Sequence, residues 1–179
     1  NIIVHSKGLG AQGLAFKNNS ANDGNLYVRV LRRLLYDGVE ERLRDTSAMY
    51  GDKPVFVMGE IFGKGVQDLD YGTKEPEFRI FEIRVGNEYL PRDQFGFGYL
   101  DHQGRHGGTL GLDAVPILYY GPFDQVQLEL VRDGKTMLAG ENIREGIVVR
   151  ACPESRHPLH GRKVAKMRSE EHTSELQSH

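Results

Sequence analysis

"PVFVMGEIF", residues 54–62, has the β-branched and aromatic content of a strand. Its two-residue side-chain period puts Phe56, Met58 and Phe62 on one face, and Glu60 falls among them. An ionised carboxylate on an apolar face is strongly disfavoured unless it is paired or bonded to something polar. The conflict recurs in "EGIVVR", residues 145–150, where Glu145 shares the face of Ile147 and Val149. Either acid alone reads more readily as a strand-end residue reaching water. Both together, each beside a glycine that lets a ligand approach the backbone, point to a polar ligand with hydroxyls or to a metal ion.

Other elements follow outward from these two. "EFRIFEIRV" (77–85) is a third strand, with Phe78, Ile80, Glu82 and Arg84 on one face and Arg79, Phe81, Ile83 and Val85 on the other. Phe81 reads as core, or as a stacking surface if the ligand is a purine. "VPILYYG" (115–121) is a shorter strand candidate. "NLYVRVLRRLLYDG", from Asn25, lays Leu26, Val30, Leu31, Leu34 and Leu35 along one stripe, which predicts a surface helix capped by Asn22 or Asp23 and stopped at Gly38. A second helix is expected within residues 124–134. "NIIVHSKG" reads as a strand end running into a glycine-rich turn, and the glycine-rich stretch 94–113 as a loop. The order predicts an α+β fold with mostly antiparallel sheet.

With 39% apolar and 27% charged residues, the 179-residue chain can build one globular domain with a real core. Neither a run of ~18 apolar residues nor a secretion signal occurs, so a cytoplasmic location and no membrane partner are expected. Cys152 is the single cysteine, which excludes an internal disulfide and a cysteine-built zinc site. "GLGAQG" (8–13) matches a dinucleotide-binding fingerprint only formally, because "LAFKNNSANDG" after it does not read as a helix. His102 and His106 stand four apart, but in a glycine loop that spacing does not share a face, so a solvated loop is preferred to a metal site. Asn1 is not a start residue, and the last twelve residues, "RSEEHTSELQSH", resemble an in-frame translation of a sequencing adapter. The domain is therefore expected over 1–167 and a non-native tail over 168–179. Removing the tail's one Arg and three Glu leaves 22 basic and 22 acidic residues, so any nucleic-acid binding has to be a local patch.

At these motifs the chain resembles the ATP-dependent RNA ligases, within the covalent nucleotidyltransferases that include DNA ligases and capping enzymes. The nick-sealing type is the most similar. "GEIFGKGVQ" is similar to the family's third motif, "FRIFEI" to the strand motif after it, "EGIVVR" to the fourth and "GRKVAKM" to the start of the fifth; "VHSKGLGAQGLAF" resembles the segment after the first. The resemblance implies an adenylyltransferase domain of mostly antiparallel sheets, N-terminally truncated, since no KxDG or KxHG motif for the nucleophilic lysine occurs in the chain. It implies ATP and magnesium or manganese as cofactors, and RNA ends or a nicked duplex as partner, with a monomer favoured. By position, Glu60 would contact the ribose, Phe81 would stack on adenine, and Glu145 would bind the metal or hold the lysine. Arg150 and Lys166 would face the phosphates; Glu82 and Gln67 match further family positions, and Lys7 a phosphate contact, although Gly8 stands where relatives often carry arginine. The rival expectations are a nucleotide- or RNA-binding module without catalysis, a DNA ligase, and a capping enzyme using GTP.

Overall fold

The structure is a computed structural model that describes residues 2–66, 71–92 and 110–170. Gln67, His102 and His106 lie outside the described residues.

The three main expected strands form, and each pairs antiparallel. β1 (Val55–Phe62), β2 (Glu77–Val85) and β3 (Glu88–Tyr89) make one sheet in the order β1-β2-β3. β4 (Gly146–Arg150) pairs with β7 (Val164–Arg168), and between them β5 (Arg156–His157) and β6 (Gly161–Arg162) form a short hairpin. Among the described residues these helices accompany them: α1 (Lys7–Ala11), α2 (Leu26–Tyr36), α3 (Val39–Met49) and α4 (Gln125–Arg132). Mixed helix and antiparallel sheet is the α+β arrangement expected.

One irregularity decides how the main sheet is used. Met58 faces Glu82 but Gly59 faces Ile80, so β2 carries an extra residue, Phe81, in a β-bulge. A bulge shifts the side-chain parity of the strand. Val85 and Ile83 on one side of it and Ile80 and Phe78 on the other therefore all face the same way, toward the core. Strict alternation had separated these two pairs; the sequence carries no mark of the bulge, and the assignment is corrected here. Across the ladder, Val55 and Val57 join the same core. α3 closes it with Val39 and Leu43, α2 with Leu34, and the segment 110–114 with Leu110, Leu112 and Ala114. Arg42 of α3 holds that stretch through the Leu110 carbonyl at 2.7 Å.

Several local expectations change. α2 is capped by Asn25, whose Oδ1 accepts from the Tyr27 and Val28 amides, not by Asn22 or Asp23. Gly38 does end α2, and at φ 76° it turns the chain directly into α3. "SKGLGA" is no simple turn: Ser6 accepts from the Leu9 amide and starts the five-residue α1. Residues 115–121 form no strand; Ala114 makes only a parallel bridge to Ile80, and the Val115 amide donates to the Ile80 carbonyl. The fold also continues past residue 167. Arg168 pairs with Gly146, the buried Ser169 donates its amide to the Glu145 carbonyl, and Glu170 forms an ion pair with Arg132, so these three residues are not outside the domain.

Candidate functional site

The face of β1 and β2 away from the core carries Phe56, Met58, Glu60, Glu82 and Arg84, set by the pairs Phe56–Arg84, Met58–Glu82 and Glu60–Arg79. It is an open face. Phe56 is exposed, with the Arg84 guanidinium 4.1 Å from its ring centroid, and Glu60 is exposed as a residue. The apolar face expected around Glu60 is therefore partly solvent-facing, with Phe62 its buried member. Phe81, the bulge residue, is also exposed, between the buried Ile80 and Glu82.

Two further strands bring charge to this face. Lys166 Nζ stands 4.0 Å from Glu145 Oε2, and both act on Glu60. Partial burial raises the Glu60 pKa above the ordinary value of 4.5, the Glu145 carboxylate raises it further, and Lys166 opposes them. Two acids and one amine from β1, the β4 entry and β7 thus converge. Well below pH 4.5 Glu60 is protonated whether the chain is folded or not, and it leaves stability unchanged. As pH rises past the raised folded value, the ionised carboxylate opposes folding. Glu60→Gln is therefore expected to raise Tm at neutral pH, with the gap to wild type closing in acid below about pH 4. Thermal melts at both pH values check it; a gap of equal size at both, or a lower Tm at neutral pH, contradicts the assignment.

The neighbouring glycines have a reason other than ligand access. A Cβ on Gly59 would lie 2.4 Å from the Arg79 carbonyl oxygen, and one on Gly146, at φ 137°, would lie 2.1 Å from that of Met167. The close approach is the protein's own.

On the other side of the bulge, Glu82 is buried and bonds Arg162 Nη2 at 2.5 Å, with Arg150 Nη1 at 3.4 Å. Arg150 also donates to the Phe81 carbonyl at 3.2 Å, so β4 holds the bulge directly. Arg162 reaches Glu154 at 2.7 Å and lies 3.6 Å over the Tyr89 ring. The hydrogen bond from Arg162 is the main reason the Glu154 pKa falls. Nearby, burial and then Arg150 lower Arg92 to about 10.

Glu60, Glu145 and Lys166 are thus brought together, as are Phe81, Glu82 and Arg150. Lys7 opens α1, is exposed, and takes part in neither group's ion pairs among the described residues. Sequence reasoning missed Arg162, Glu154 and Arg92. Arg162 meets Glu82 across 80 positions, and no local spacing announces such a pair. Among the described residues no cluster of three or more His, Cys, Asp or Glu is placed to hold a metal ion. Glu145 alone supplies one carboxylate, within the one or two that magnesium takes when substrate phosphates and water complete its shell.

A family model described as RNA ligase matches residues 1–168. Comparison with curated proteins and with solved structures gave no match.

Proposed function

Because the chain belongs to the RNA ligase family, we propose that its open β1–β2 face binds ATP and serves ATP-dependent sealing of RNA. The convergence of Glu60, Glu145 and Lys166 carries this reading. A ribose presents two adjacent hydroxyls, and Glu60 would accept them in charge-assisted bonds. Such bonds also remove the raised-pKa penalty, since they favour the ionised carboxylate. Adenine would lie on Phe81, whose ring the bulge leaves exposed and whose carbonyl Arg150 holds. Lys166 would meet the phosphates, with Arg150 supplying donors beyond the one it gives to Phe81. Glu145 would share a divalent cation with those phosphates; bound there, the cation would offset charge developing on the transferred phosphoryl group.

In the reaction so proposed, a lysine amine attacks the α-phosphorus and pyrophosphate leaves. The RNA 5′-phosphate then takes the AMP, and an adjacent 3′-hydroxyl displaces it to form the phosphodiester. None of the residues placed on this face is assigned as the attacking amine; its work is to hold and orient the nucleotide.

Calorimetric titration with ATP and with GTP, each with magnesium, tests the proposal. ATP is expected to bind in preference to GTP. Phe81→Ala should weaken ATP by on the order of 1 to 3 kcal/mol, and Glu60→Ala and Glu145→Ala by about tenfold or more each. Preference for GTP, or ATP affinity indifferent to all three changes, would reject the assignment.

A further inference from the structure

The stretch from Arg150 to Arg168 holds six Lys or Arg against one acid, Glu154, in a chain of formal net charge −2. Arg150 and Arg162 are taken up by Glu82 and Glu154, and Lys166 faces Glu145. Arg156 and Lys163 are exposed, and no ion pair among the described residues includes either. Arg156 opens β5 and Lys163 directly follows β6, so both stand at the base of the β5–β6 hairpin. Its turn is fixed internally: His157 Nδ1 accepts the amides of Leu159 and His160 at 3.2 and 3.3 Å, and the two imidazole rings stack with centroids 4.7 Å apart. At its base the Lys163 amide donates to the Ser155 carbonyl, and the Ala151 amide to that of Lys163. Lys163 is thereby seated beside residues 151–155.

An aromatic side chain meets the hairpin at the same base. The Tyr120 hydroxyl lies 3.8 Å from Cys152 Sγ, while the residue is 64% exposed. Arg156 acts on Glu154 without forming an ion pair with it, and an open ring next to exposed cations outside any such pair is the combination that single-stranded nucleic acids use, with phosphates on the cations and a base on the ring. A paired helix offers no base face to such a ring.

We propose that Tyr120, Arg156 and Lys163 form a landing surface for single-stranded RNA, separate from the nucleotide face. The choice of RNA rests on the RNA ligase reading; the surface itself rests on the charge and the ring. Glu82 connects the two regions, since it binds Arg162 on β6 and Arg150 on β4.

The test is fluorescence anisotropy of a labelled single-stranded RNA oligonucleotide with the intact chain over a range of salt concentrations, with ATP titrated separately. Arg156→Ala with Lys163→Ala is expected to weaken binding and to flatten the slope of log K against log salt by roughly 1.4, at about 0.7 per lost phosphate contact. Arg156→Lys with Lys163→Arg should keep the slope. Tyr120→Ala should cost about tenfold in affinity with the slope unchanged, and Tyr120→Phe should restore it. Arg44→Ala with Lys53→Ala, away from the hairpin, should change neither quantity, and unaltered Tm values show that each variant folds. The surface is overturned if the hairpin pair leaves the slope unchanged, if the Arg44 and Lys53 pair produces the same loss, if Tyr120→Ala has no effect, or if the chain binds ATP but no RNA. Hairpin-dependent RNA binding without ATP binding would instead reject the nucleotide reading and leave this surface standing.

Discussion

Glu82→Ala is expected to lower the free energy of unfolding by about 3–5 kcal/mol, the loss typical when one partner of a buried charge pair is removed. Glu82 is 6% exposed and is shared by Arg162 and Arg150, which come from different strands. Without it two guanidiniums remain partly buried; Arg162 keeps its ion pair with Glu154, whereas Arg150 keeps only a weaker interaction with that acid. Glu82→Gln, which can still accept from Arg162, should lose less. Urea denaturation of the two variants measures this, and a loss under about 1 kcal/mol for alanine would show that the pair is offset by its own desolvation. A second effect is expected in function. Arg150 would lose one of the two groups that fix it, and through it the Phe81 carbonyl, so ATP affinity should fall along with stability.

Gly146→Ala should destabilise by a comparable amount, about 3 kcal/mol or more. At φ 137° a non-glycine residue carries strain of roughly 1–3 kcal/mol. Its Cβ would also stand 2.1 Å from the Met167 carbonyl oxygen, inside the β4–β7 ladder, and overpacking of that kind adds about 1–3 kcal/mol. Gly161→Ala is the matched comparison: φ is 75°, and an added Cβ meets nothing within 4 Å. If Gly146→Ala costs no more than Gly161→Ala in parallel melts, backbone crowding is not what selects glycine there. The change also acts on chemistry, because Glu145 is the next residue back and its carboxylate faces Lys166.

Elements with a strong apolar period were legible from the sequence. α2 shows its stripe at Val30, Leu31 and Leu34, although Val28, its most buried residue, lies outside the predicted stripe, and β1, β2 and β4 are rich in β-branched and aromatic residues. α3 was not legible because it is polar along most of its length and buries only Val39 and Thr46. β7 was missed as a strand because "VAKMR" is short and largely exposed, and exists as a strand through its pairing with β4. At the site, misplaced acids were a usable signal for Glu60 and Glu145. The reason given for it was incomplete, since Glu60 stands on an exposed face and its neighbour Gly59 is crowded by Arg79 and Phe78. The Glu82 cluster was half visible: the acid could be marked, but its partner Arg162 lies in a hairpin of two-residue strands that no pattern reveals.

Suppose Phe81 were deleted. The residues on either side would close into a regular strand with every remaining side chain still facing as it does now, Ile80 and Ile83 inward and Glu82 outward. The aromatic ring is thus a graft onto a ladder already complete without it. A lineage could gain or lose this ring, with its backbone oxygen, by a single codon insertion or deletion while the hydrophobic interior kept its composition.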